Sequence, residues 1–343
     1  MIINFLIIIQ RDFMKILSII VPAYNISSHI DRCVPSYTKC KKIDEIEILF
    51  INDGSRDDTV EKLMPFVRTY PDSMYILNKE NGGHGSVINL GIQKAVGKYF
   101  KVVDGDDWIE SENLDQLIDD LKKIDADLAV NPYYKESQIT GRRTLCGTWK
   151  VKKNTLFLFE QLPKDIFGIQ LHEWTIKTKI LKDNEIRLTE KCYYDDFEYI
   201  TYPIPFIKTV LFFDYPIYDY LVDQASQSVS DINVFKNSHM NKKIIFDTIE
   251  YYLKHKPNDK RADKYFIDTI VNGCKQHYNI YLRNFKNANA YKMFMDFDKD
   301  LKKYIDFYDK VGKTYIYISF VRKCGKLGFF VSSILFKLYK KMR

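Results

Sequence analysis

Between residues 16 and 130, short apolar runs rich in β-branched side chains alternate with stretches whose apolar positions recur every three or four residues. Ile16–Val21, Ile46–Asn52, Met74–Asn78, Tyr99–Val103 and Asp127–Val130 read as strands, and segments 28–38, 57–69, 85–96 and 111–124 read as helices. This alternation predicts an α/β fold with a mainly parallel central sheet and helices on both faces. In open sheets of that type ligands collect beyond the carboxyl ends of the strands. Three polar loops fall there: Pro22-Ala23-Tyr24-Asn25, Asp53-Gly54-Ser55 and Asp104-Gly105-Asp106-Asp107. Residues 131–222 mix strand and helix signals with several prolines and are expected to complete the same domain. After Asp231 the pattern turns helical and Lys-rich. The expected organisation is an N-terminal extension over 1–14, a main domain over 15–230 and a helical basic region over 231–343.

Composition changes this picture in two places. Hydrophobic residues make up 46% and charged residues 28% of the 343-residue chain, which excludes a mainly disordered protein. The 15% aromatic content supplies ring surface suited to sugar faces and membrane interfaces. Charge is uneven: residues 231–343 carry 24 Lys and Arg against 11 Asp and Glu, whereas residues 1–230 carry 28 against 34. From Lys310 to Arg343 there are nine basic residues and no acid, interleaved with apolar stretches such as Leu327-Gly328-Phe329-Phe330-Val331. That composition suits peripheral association with an anionic membrane surface. The blander reading is a solvated basic face, and nucleic-acid binding is disfavoured because no binding module is recognisable. Cys33, Cys40, Cys146, Cys192, Cys274 and Cys324 lack a CxxC pair, so neither a zinc site nor a disulfide framework is indicated, as expected of reduced cytoplasmic thiols. Met1–Ile9 is apolar but short, with no basic lead-in or small-residue cleavage site, and Met14 directly precedes the first strand. Residues 1–13 are therefore expected to be an over-extended start.

Chemistry concentrates in Val102-Val103-Asp104-Gly105-Asp106-Asp107-Trp108, which puts three carboxylates within four residues of an apolar strand. Such oxygen-rich clusters suit a hard divalent cation, which can neutralise a diphosphate. An Asp-rich turn capping the next helix explains the same residues more simply.

The surrounding segments tip the balance. VPAYN at 21–25, NDGSRDDT at 52–59, NGGHGSVINLGI at 81–92, GKYFKVVDGDDW at 97–108 and YYDDFEY at 193–199 resemble, in order and spacing, the successive motifs of family 2 glycosyltransferases with the GT-A fold. The resemblance covers about residues 15–230. NGGHG, LHEWTIKTKIL at 171–181 and QSVS at 227–230 are similar to a bacterial subgroup acting on surface polysaccharides. The resemblance implies that Pro22, Ala23, Tyr24, Asn25, Asp53, Gly82, Asp104 and Gly105 bind the nucleotide-sugar, with Tyr24 and Asp53 on a base such as uracil. It implies Asp104 and Asp106 as holders of Mn²⁺ or Mg²⁺. Asp107, Trp108, His172, Trp174, Asp195, Gln227 and Ser228 would lie toward the donor sugar or acceptor.

Asp196 corresponds to the catalytic base, with Glu198 as second choice, since an acceptor hydroxyl needs a carboxylate to take its proton as it attacks. His84, in a glycine-rich turn, is expected near phosphate, although a plain helix start would look the same. Two departures remove positive charge: Ile88 precedes Asn89 where many members carry Arg, and Gln224 stands where an Arg precedes QSVS. The expected activity is inverting, metal-dependent transfer from a nucleotide-sugar, UDP-linked in preference, to a saccharide or lipid-linked hydroxyl at the cytoplasmic face of the cell membrane. The rival expectation is a catalytically weak relative acting as a membrane-associated assembly component.

Overall fold

A computed structural model describes residues 15–223 and 231–341. The chain divides into two compact units, 1–225 and 226–343.

The first unit is built on an eight-stranded sheet in the order β3-β2-β1-β4-β10-β6-β11-β9. Its strands are β1 (Leu17–Ala23), β2 (Ile46–Asn52), β3 (Met74–Asn78), β4 (Tyr99–Val102), β6 (Leu128–Val130), β9 (Leu156–Leu158), β10 (Trp174–Lys177) and β11 (Thr209–Phe212). β3, β2, β1 and β4 run parallel, with Ala23 beside Asn52, Asn52 beside Asn78 and Ile20 beside Val102. This register sets the ends of β1, β2 and β4 at one rim, so the three polar loops emerge together. β10 enters antiparallel between β4 and β6, and β11 resumes the parallel direction beside β6.

Alternation along β1 sorts its side chains to opposite faces. Leu17, Ile19 and Val21 join Ile46, Ile48 and Phe50 in a core closed by α1 (Ile30–Thr38), α2 (Thr59–Thr69) and α4 (Ser111–Lys123). On the other face Ile20 meets α3 (His84–Lys94) at Gly91, where an added Cβ would approach Ile20 Cγ2 to 2.7 Å. The sheet is therefore covered on both sides, as its nearly uninterrupted apolar strands require. α5 (Thr178–Asp183) and α6 (Asp195–Tyr199) complete the helices of this unit.

A second sheet, ordered β5-β12-β7-β8, stands at the rim. It comprises β5 (Trp108–Ile109), β7 (Tyr133–Ser137), β8 (Arg143–Cys146) and β12 (Tyr218–Val222). Because β5 directly follows the Asp-rich loop and pairs with β12, it carries Tyr218 and Tyr220 to that loop.

The second unit is helical: α7 (Asp231–Lys236), α8 (Ser238–Lys254), α9 (Lys260–Arg283), α10 (Ala290–Leu301), α11 (Ile305–Thr314) and α12 (Ile316–Lys341). Its core is aromatic, with Tyr278 packed on Phe294 and Phe297 and Tyr252 on Phe266 and Phe307. Arg322 of α12 reaches Asp298 of α10 at 2.8 Å, and Tyr278 of α9 donates to the same carboxylate at 2.6 Å. A charge placed that deep is tolerated because it is paired and hydrogen-bonded. α12 bends at Gly325, which takes φ +61° and ψ −135°. No helix among the described residues is long and apolar enough to cross a membrane.

Candidate active site

Asp53, at the end of β2, is buried and accepts three hydrogen bonds: Gly82 N–H and Gly83 N–H at 2.8 Å each, and Lys79 Nζ at 2.7 Å. A carboxylate has about four lone-pair directions, which leaves one for a ligand N–H. Tyr24 stands half exposed beside it. Asn25, at φ +55°, holds the neighbouring loop by accepting from Arg56 N–H at 2.8 Å. Gly105 passes so close to Pro22 that a Cβ there would lie 2.4 Å from the Pro22 carbonyl oxygen. The first and third polar loops are thereby pressed together.

Within the Asp-rich loop the carboxylates separate by environment. Asp107 is fully buried and accepts from Tyr218 O–H at 2.6 Å and Leu221 N–H at 2.7 Å. Burial, and then the charges of Asp104 and Asp106, push its pKa well above the usual carboxylate range. Asp104 is more open and takes His84 Nε2 at 3.1 Å. Burial would raise the Asp104 pKa, but the hydrogen bond and charge of His84 outweigh it and lower it. Asp106 lies between the two and is partly exposed.

His84 opens α3. Its Nδ1 faces Asp195 Oδ2 at 2.7 Å while Nε2 faces Asp104. Burial opposes a charge on the ring, but the two flanking carboxylates prevail and hold its pKa well above the ordinary value. Asp196, next to Asp195 at the start of α6, is exposed. The enclosing walls, followed by the Asp195 charge, push its pKa up to about 6. Tyr194 precedes the pair in the left-handed region at φ +73°, an uncommon conformation for a bulky residue. The loop leading to it is tied to the glycine turn by Lys191 N–H donating to Gly82 O at 2.6 Å.

His172 is boxed by Tyr133, Tyr218 and Tyr220, with ring centroids 4.4–5.1 Å away. Its Nδ1 is buried without a hydrogen-bond partner. Burial lowers its pKa to about 4, with Lys101 adding to that and Asp104 opposing it. A neutral imidazole with a spare nitrogen is a metal donor, and one ligand atom each from Asp104, Asp107 and His172 lie within 4.8 Å of one another. Among the described residues this grouping could hold a cation; it does not include Asp106, and Asp107 already has both oxygens engaged.

Several expectations need correction. Trp174 does not face an acceptor: it is fully buried in β10, packs on Tyr199 and donates Nε1–H to Ile169 O. Glu198 is buried, with its carboxylate engaged by Thr189 N–H, Thr189 Oγ1 and Tyr202 O–H. Asp107 braces β12 and Asp195 braces His84, so neither is aimed at a sugar. The Trp108 ring is covered by the Arg32 guanidinium at 3.3 Å. Ile88 is buried on α3. Gln224, Gln227 and Ser228 lie outside the described residues, as does the extension over 1–13. Sequence reasoning missed Lys79, Tyr218 and Tyr220. For the tyrosines, the alternation in Tyr218-Asp219-Tyr220 was an available strand signal.

Residues 18–184 match the family described as glycosyl transferase family 2. That segment, just under half of the chain, is similar to this family. Among curated relatives, the glycosyltransferase GlyA of Streptococcus pneumoniae is 34% identical over 126 residues, covering 36% of this chain and 18% of GlyA. The uncharacterized glycosyltransferase EpsJ of Bacillus subtilis is 33% identical over 129 residues, covering 38% of this chain and 36% of EpsJ. Glycosyltransferase GlyG of S. pneumoniae is 30% identical over 178 residues, covering 45% of this chain and 58% of GlyG. The chain thus aligns with less than two thirds of each of these relatives. The fold is similar to that of S. aureus TarS residues 1–349, solved in complex with UDP-GlcNAc, at a TM-score of 0.66 and 16% identity over 94% of this chain and 92% of that one. The chain thus shares the GT-A fold, with its polar loops at the sheet rim.

Proposed function

We propose that the protein transfers a sugar from a nucleotide-sugar donor to a hydroxyl of a saccharide or lipid-linked acceptor, with inversion, in cell-surface polysaccharide synthesis. The observation that carries this reading is the juxtaposition at one rim of Asp104 and the Asp195-Asp196 pair, joined through His84. Tyr24 packs on the base and the remaining acceptor direction of Asp53 takes a base N–H. A uracil imide satisfies that pair, and the structurally similar TarS was solved with UDP-GlcNAc. Asp104 and Asp106 would hold Mn²⁺ or Mg²⁺, with a His172 ring nitrogen within 4.8 Å of an Asp104 oxygen, and the ion would supply charge neutralisation for the departing diphosphate. Asp196, already raised to about 6, takes the acceptor hydroxyl proton as that oxygen attacks the anomeric carbon. Positioning and electrostatics carry the reaction, with no covalent enzyme intermediate. The basic apolar face of α12 keeps the enzyme at the anionic inner surface of the cell membrane, near lipid-linked acceptors.

The test is a panel of UDP-, GDP-, CMP- and dTDP-sugars assayed for binding and hydrolysis with Mn²⁺, Mg²⁺ or chelator. Metal-dependent binding of one nucleotide class, lost in Asp106→Ala, with turnover but not binding lost in Asp196→Asn, is the expected result. Folded protein that binds none of them would instead favour the non-catalytic assembly role.

A further inference from the structure

His84, at the start of α3, sets Nε2 3.1 Å from Asp104 and Nδ1 2.7 Å from Asp195, so a single ring touches a carboxylate of the Asp-rich loop and the buried carboxylate that precedes Asp196.

We infer that His84 is a positioning residue that locks the donor-side carboxylate Asp104 to Asp195, the neighbour of the proposed base. This rests on the transferase reading and deepens it. The ring acts through its two partners. It fixes Asp104 against the donor and, through Asp195, fixes the start of α6 and hence Asp196 against the acceptor. Gly83 and Gly85 make the arrangement feasible. Gly83 takes φ +81°, and a Cβ on Gly85 would lie 2.4 Å from Thr189 O and 3.3 Å from Asp195 Cβ. The turn that carries His84 can approach the acidic pair only without side chains on either flank. Trimming the ring therefore uncouples two carboxylates that no other described hydrogen bond joins.

The experiment uses the full chain and compares wild type, His84→Gln and His84→Arg by thermal unfolding, donor binding, and kcat and KM with the donor found active in the panel above. A Gln amide presents one donor and one acceptor, so it satisfies one carboxylate and repels the other. His84→Gln is expected to lower kcat about 10- to 100-fold, the size typical of losing a group that orients others. Donor KM should move by less than about threefold, because the loss is made in the transition state and not in uniform binding. His84→Arg, with several N–H donors and a permanent charge, is expected to restore kcat to within about tenfold of wild type. Unchanged kinetics in His84→Gln would overturn the inference. So would a loss that tracks a fall in Tm and is not restored by Arg, since that marks a purely structural histidine. If wild type itself neither binds nor turns over any donor, the transferase reading has failed and not this inference alone.

Discussion

At the residue scale the site works by giving chemically identical carboxylates different surroundings. Asp107 is buried and doubly bonded, Asp104 is lowered by His84, and Asp196 is raised toward neutrality at the cleft mouth. If Asp196 acts as the proposed base it must be ionised to accept a proton, so kcat/KM should climb as pH rises through about 6 and then level off, as a pH-rate profile would record. Asp196→Asn should reduce turnover by about 10²- to 10⁴-fold while leaving nucleotide affinity intact. The same residue has a stability signature. Its folded pKa is raised, so its contribution is fully present below the unfolded value of 3.8 and is lost as pH rises through about 6. Thermal scans should therefore show Asp196→Asn gaining on wild type across that window, and a constant difference would contradict the shift. Asp107→Ala poses a different question. It removes the buried carboxylate that accepts from Leu221 N–H and Tyr218 O–H, which should cost about 1–3 kcal/mol in denaturant unfolding and loosen β12.

Elements explain why some of this was readable beforehand. β1 to β4 and the helices between them are sequence-local units whose apolar period announces them, and the observed spans differ from expectation by one or two residues. Their parallel register then places the three polar loops at one rim without further information. β10 is different, because Trp174-Thr175-Ile176-Lys177 is a short mixed run whose partners β4 and β6 lie far away in sequence. Its burial, and so the removal of Trp174 from the acceptor side, follows from a strand insertion that periodicity does not announce. The bridging role of His84 was equally hidden: a glycine turn suggests close approach, but only the packing of α3 on the 187–195 loop selects Asp195 as its partner. That packing gives a prediction at this scale. Gly85→Ala drives a methyl into Thr189 O, and overpacking of this sort costs about 1–3 kcal/mol. Activity should fall more than stability, because the displaced loop carries Asp195 and Asp196.

At the scale of the whole molecule the chain is electrically polarised, with its excess positive charge beyond residue 231 and a net negative main domain. Excess charge of one sign is an argument about partners and not about fold. α12 adds apolar surface to that charge. Ile316, Phe320, Leu327, Phe330, Ile334, Leu335 and Leu338 are exposed, while Ile318, Val321, Phe329 and Ser333 turn inward. An exposed apolar stripe flanked by Lys323, Lys326 and Lys337 suits a membrane surface bearing negative headgroups, where each basic residue contributes about 1 kcal/mol. Vesicles separate the two contributions. The full chain should co-sediment with phosphatidylglycerol vesicles and far less with phosphatidylcholine, and binding should weaken as salt shortens the screening length to below about 10 Å. Replacing Leu327, Phe330 and Leu335 together with Glu should abolish binding while leaving donor turnover with a soluble acceptor unchanged, because these side chains are already exposed in the folded unit. Binding that survives the triple substitution would assign the attraction to charge alone. A wild-type chain that ignores both vesicles but elutes as a dimer, which the triple variant does not, would mean that the stripe is covered by a second copy. The acceptor would then have to reach the enzyme from solution.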